Sequence, residues 1–180
     1  MTSAERERAI ASLAETRERL LATVQRLSPS QLAYKPAPDR WSVGECIEHV
    51  IVVESAVLGL IQRTLAQPGN SPAGGAADEL LMAQAVDRSQ RLNAPGPLVP
   101  TGRFAHDQLL PEFEAVRKRT SEFAAATEAD LRQSVFPHPV FGPLDCYQWL
   151  LLIPAHGKRH RAQAEEVMAS PEFPRAASAS

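Results

Sequence analysis

The sequence predicts an all-α protein, a four-helix bundle with a long crossover connection between helices two and three. Three observations predict it. Four long stretches repeat apolar residues every three or four positions, the period of a helix that buries one face. Capping signatures, in which Ser, Thr or Asp is followed three residues later by a polar partner, punctuate the chain at Ser28, Ser42, Thr127 and Asp145. No segment makes a convincing strand, and residues 67–106 are long enough to carry a crossover.

Helix one is expected from Ser3 to Leu27, with Ile10, Leu13, the stem of Arg17, Leu20, Val24 and Leu27 on its inner stripe. Ser28, Pro29 and Gln31 then open a single turn through Leu32, which Pro36 and Pro38 end. Helix two starts sharply, because Ser42 is a good N-cap and Glu45 completes a capping box; its apolar face carries it to Ala66. The segment from Gln67 to Ala77 is rich in Gly, Pro, Ala and Ser and reads as a surface loop. Asp78 to Gln90 reads as a short helix, and Pro95, Pro97 and Pro100 make the next stretch rigid and irregular.

Helix three is expected from Asp107 to Ala126, with Leu109, Leu110, Phe113, Val116, Thr120 and Phe123 facing inward. Residues 135–143 hold Pro137, Pro139 and Pro143, too many for a helix or a central strand, and read as a structured loop. Asp145 and Gln148 then box the start of helix four, which runs to Ala169. Pro154 inside it removes the bond to the Leu150 carbonyl and should kink it. One domain is expected over residues 1–170, followed by a disordered tail over 171–180.

Composition narrows the function. Apolar residues make up 44% and charged residues 22%, the balance of a soluble globular domain. The formal net charge is −2 and no basic patch stands out, which argues against nucleic acid as a partner. No apolar run approaches the ~20 residues of a membrane span, and the charged start lacks a leader core, so a cytoplasmic location is expected. Two cysteines cannot build a disulfide framework, and Cys46 and Cys146 read as small buried apolar residues. Cys46 also precedes His49 by three positions, which leaves a metal-ligand role open.

The most informative pattern lies in helix four. Trp149, Ile153, His156, His160 and Gln163 are spaced by four, three, four and three, so they share one helical face that Trp149 and Ile153 turn into the core. Two inward imidazoles one turn apart are ready to hold a metal ion. His49 borders the apolar stripe of helix two, where a third ligand from a facing helix would sit. Three neutral imidazoles with an open position make a catalytic site, whereas a fourth protein ligand, with Cys46 or His138 as candidates, would make a structural one. The stretch His156-Gly157-Lys158-Arg159-His160 has glycine where a zincin carries its glutamate, so it is not a zincin.

The wider pattern is Trp41-Ser42 leading to His49, then His138-Pro139-Val140-Phe141-Gly142, then His156, Arg159, His160 and Gln163. In that order and spacing it resembles the DinB-like (DinB/YfiT) superfamily, over roughly residues 5–168. The resemblance implies a four-helix bundle with a crossover, a homodimer in many members, and a divalent metal such as zinc or nickel on His49, His156 and His160. It also implies one of two activities on a small-molecule substrate, transfer with a low-molecular-weight thiol or metal-dependent hydrolysis. A non-catalytic metal-binding or ligand-binding homodimer is the alternative.

Other residues can be placed around that site. Glu45, one turn before His49, is the nearest candidate for a base or an orienting acceptor, although its capping box also accounts for it. Gln163 can bond a ligand or satisfy a buried neighbour, and Arg159 points roughly 100° away from His160, which suits an ion pair or interface better than the site. His138, between prolines, reads as a loop anchor, and His106 as exposed.

Overall fold

A computed structural model describes residues 1–67, 77–89 and 93–175. The elements in order are α1 (Ser3–Val24), α2 (Pro29–Ala33), α3 (Val43–Leu65), α4 (Asp78–Val86), α5 (Leu109–Ala126), β1 (Val135–His138), β2 (Gly142–Asp145) and α6 (Cys146–Met168). Short 3-10 turns occupy Gly96–Leu98 and Leu131–Gln133. Among the described residues, no helix is long and apolar enough to cross a membrane.

Capping sets the helix starts. Reciprocal boxes join Ser28 to Gln31, Ser42 to Glu45 and Asp145 to Gln148, and a further one joins Thr2 to Glu5 at α1. α1 stops at Val24 rather than Leu27, and α4 at Val86, where the extended Asp87 breaks it. α5 begins at Leu109 with no side-chain cap, two residues later than expected. Thr127 ends α5 in an extended conformation, and Asp130 caps the 3-10 turn that follows. α6 continues through Pro154 as one helix.

The long helices form a bundle in which α1 and α3 each pack on both α5 and α6. Specific contacts give the directions. Tyr147 near the start of α6 bonds the Glu5 carbonyl, and Lys158 further along pairs with Glu15, so α1 and α6 run parallel. Arg6 reaches the Ala124 carbonyl while Arg17 pairs with Glu114, so α1 and α5 are antiparallel. Gly44 lies against Leu109 and Glu54 against Arg117, which makes α3 and α5 parallel neighbours. Parallel neighbours need a return path, and the 23-residue α3 is about 34 Å long at 1.5 Å per residue. The connection from 66 to 108 supplies that path, and α4 within it packs along α6. The expected crossover therefore has a geometric cause.

Two apolar clusters fill the interior. One gathers Leu13, Val57, Ala124 and Ile153; the other gathers Leu20, Ile51, Val116 and Ala164. On each long helix a polar residue falls between members of the two clusters. These are Thr16 on α1, Glu54 on α3, Arg117 and Thr120 on α5, and His156 and His160 on α6. The core is thus crossed by a polar layer that includes two of the three expected ligands.

One expectation needs correction. Residues 135–145 form a two-stranded antiparallel hairpin, not a loop. Its prolines are tolerated because Pro137 faces Pro143 across the ladder, a register in which both missing N–H groups can point away from the partner strand. Within the expected tail, Phe173 packs edge-on to Tyr34 with ring centres 5.5 Å apart, and Gln31 Nε2 donates to the Pro174 carbonyl at 2.9 Å. Residues 176–180 of that tail, 68–76 of the expected loop, and Gln90 at the expected end of the short helix lie outside the described residues.

Candidate metal centre

α3 and α6 bring His49, His156 and His160 together. One ligand-competent nitrogen from each lies within 4.8 Å of the other two, and this is the one cluster of its kind among the described residues. His49 Nε2 and His156 Nε2 are 3.1 Å apart. The ring centres are separated by 4.9 Å (49 and 156), 4.6 Å (49 and 160) and 4.3 Å (156 and 160). Nitrogens that share a tetrahedral metal at ~2.0–2.1 Å stand about 3.4 Å apart, so only small rotations separate this cluster from a ligand set.

The hydrogen bonds fix which nitrogens are available. His49 Nδ1 lies 2.7 Å from the Leu98 carbonyl, which can only accept, so the ring carries its proton on Nδ1 and leaves the Nε2 lone pair inward. His160 Nδ1 donates to Gln163 Oε1 at 3.0 Å, which frees its Nε2 in the same way. Gln163 Oε1 is held from behind by Arg88 Nη1 at 3.3 Å, and Arg88 is anchored on Glu166. Both outward nitrogens therefore donate to fixed acceptors, as metal-binding imidazoles do. The residues present fit a divalent ion.

Burial keeps all three rings neutral. It lowers His49, although the bond to Leu98 partly opposes this, and it drives His156 well below the ordinary 6.5, aided by His160 and His49. His160 falls to about 3, from burial first and His49 second. Neutral imidazole is the form that binds metal. His49 and His160 are buried, whereas His156 is deep in the bundle yet retains accessible surface. His156 marks the less buried side of the cluster. Trp41 walls another side, its ring centre 4.7 Å from His49 and 5.9 Å from His160.

The sequence pattern of the DinB superfamily matches residues 12–164. The chain belongs to the DinB superfamily. A further relative is the uncharacterised protein YuaE of Bacillus subtilis, 29% identical over 142 residues that cover 78% of this chain and 85% of YuaE. Among solved structures, YfiT from Bacillus subtilis superposes with a TM-score of 0.62 at 16% identity, covering 93% of this chain and 88% of YfiT. YfiT is described as a probable metal-dependent hydrolase with an unusual four-helix bundle topology. At that identity the likeness establishes the DinB-type fold, and the fold alone.

The remaining expected residues fall as follows. Glu45 has both oxygens engaged, one by the Ser42 amide of its capping box and one by Lys35 Nζ at 2.9 Å, so it is accounted for without catalysis. Gln163 Oε1 bonds the buried His160 ring at Nδ1. His138 anchors its own hairpin: Nδ1 accepts from the Val140 and Phe141 amides at 3.1 and 3.2 Å, and its ring lies on Phe141 and Trp149. Neither His138 nor Cys46 joins the cluster. Both cysteines are buried, which pushes each thiol up to about 12. Arg159 is buried and donates to the Asp87 carbonyl, tying α6 to the end of α4. His106 is exposed, as expected.

Sequence reasoning missed Leu98 and Arg88, which act on the cluster through a backbone carbonyl and through Gln163. No local pattern marks either. It also passed over Glu48 and Glu54, two carboxylates that interrupt an apolar helix and are each 2% exposed.

Proposed function

We propose that the protein is a divalent-metal-dependent enzyme. Its His49, His156 and His160 hold the ion, and its substrate is a small molecule attacked by water or by a low-molecular-weight thiol. The observation that carries this reading is the pairing of inward nitrogen lone pairs with outward nitrogens already bonded to Leu98 and Gln163. Such a donor set suits zinc or nickel, and imidazole ligands accept both. When bound, the ion supplies Lewis acidity, which brings the pKa of water to about 7 and deprotonates a coordinating thiol outright. The description of YfiT as a probable metal-dependent hydrolase points the same way.

This chain's own residues do the rest. His49 and His160 are kept neutral and oriented, so neither competes for the reacting proton. Trp41 covers one flank of the cluster and limits water there. No carboxylate belongs to the cluster among the described residues, so the three imidazoles leave the ion its full charge. Zinc- or nickel-loaded protein is expected to turn over one of two panels, activated esters and amides or an electrophile with a small thiol, and to lose that turnover in His49→Ala. Loaded protein that is inert across both panels would instead favour the non-catalytic metal-binding homodimer.

A further inference from the structure

Resting on the metal-site reading, we propose that Glu48 is a positioning residue of this centre. Its carboxylate clamps residues 98–103 so that the Leu98 carbonyl holds His49 with the proton on Nδ1 and Nε2 free for the ion. Glu48 sits between Ile47 and His49 on α3 and is 2% exposed. A carboxylate buried there is costly unless its oxygens are satisfied. Three donors satisfy it: the Thr101 amide at 2.7 Å and Arg103 Nε at 3.1 Å on one oxygen, and the Gly102 amide at 2.9 Å on the other.

The three donors are consecutive in the chain. The carboxylate therefore fixes one short segment and not a contact between two helices. Gly102 has φ +72, a conformation glycine accepts, at the point where successive amides converge on the carboxylate. Arg103 Nη2 returns to the Val99 carbonyl at 3.1 Å and closes the segment on itself. One residue upstream, the Leu98 carbonyl meets His49 Nδ1 at 2.7 Å. Glu48 and His49 are neighbours on α3, so the helix grips the segment at one position and is oriented by it at the next.

A role confined to tying the crossover to α3 predicts lower stability and an unchanged His49 ring. The positioning role predicts a changed ring. Glu48→Gln separates them, because an amide nitrogen cannot accept and leaves one side of the clamp facing donors unpaired. The measurement is the His49 tautomer in full-length, metal-free, 15N-histidine-labelled protein near neutral pH, read from two-bond proton–nitrogen correlations. Cobalt(II) titration followed by its visible spectrum gives the affinity, and circular dichroism checks folding.

Wild type is expected to show His49 protonated on Nδ1. Folded Glu48→Gln is expected to lose that preference and to bind cobalt about tenfold more weakly, the lower end of outer-sphere effects. A folded variant with the wild-type tautomer and affinity overturns the proposal. If Glu48→Gln does not fold, Arg103→Met decides: it removes one donor from a partly exposed side chain and should shift both readouts in the same direction, and no shift overturns the proposal. If wild type itself binds no cobalt, the metal reading fails separately. Loss of the tautomer in the variant then still upholds the clamp, and its persistence overturns it.

Discussion

Arg117 and Glu54 form an ion pair at the centre of the bundle, with Arg117 Nη2 2.8 Å and Nε 2.9 Å from the two Glu54 oxygens. Their side chains are 1% and 2% exposed. Arg117 Nη1 also donates to the Leu13 carbonyl at 2.8 Å and Thr16 Oγ1 at 2.7 Å, so one guanidinium links α1, α3 and α5. Removing one partner strands a buried charge. Glu54→Ala is expected to cost about 3–5 kcal/mol in urea unfolding, and Glu54→Leu combined with Arg117→Leu distinctly less. Equal losses in the single and double variants would mean that packing, not charge, governs this layer.

Acid should destabilise the metal-free protein through its histidines. Burial lowers His138 from the ordinary 6.5 to about 4 and His160 to about 3. The unfolded chain therefore takes up these protons first as pH falls. The stabilising contribution is complete above about 6.5 and is lost as pH drops toward the folded values. The urea midpoint is expected to be level above about pH 7 and to decline steadily from 6.5 to 4. A level midpoint across that window would show that the rings charge as freely in the fold as outside it.

Gly157 lies inside α6 beside His156, and a Cβ built there would meet Arg117 Nη2 at 3.7 Å, an ordinary contact. Gly157→Ala should fit and raise stability by up to ~1 kcal/mol, the helix-interior difference between the two residues. Gly157→Leu should collide with the guanidinium and lower the melting temperature. A loss with alanine would show that the polar layer has no room for a methyl group.

Gln163 gives His160 Nδ1 its acceptor. Gln163→Leu is expected to preserve helicity and weaken zinc binding about tenfold, within the range for outer partners of metal-binding histidines. Competition with a chromogenic chelator measures it. Unchanged affinity would mean that packing alone orients His160.

What could be read in the sequence was local. Ser42 and Glu45 marked the start of α3 within one residue, and the four-residue step from His156 to His160 put both on one face, because caps and helical periods act over a single turn. The hairpin was hidden because Pro137 and Pro143 read as breakers, and only their mutual register makes them acceptable. The Glu54–Arg117 pair and the bonds from Glu48 to residues 101–103 span 63 and 53–55 positions, so no sequence window contains them. Phe173 was passed over because the small polar residues around it suggest disorder, whereas Tyr34 gives it a surface to pack on.

The central claim is that His49, His156 and His160 hold one metal ion. Elemental mass spectrometry on untagged protein tests it most directly, with wild type beside His49→Ala, His156→Ala and His160→Ala and circular dichroism confirming the fold. About one equivalent of zinc or nickel in wild type, largely lost in each variant while helicity is retained, is the predicted result. Wild-type metal content persisting in the folded variants, or a wild type that stays empty after incubation with zinc and nickel, would contradict it.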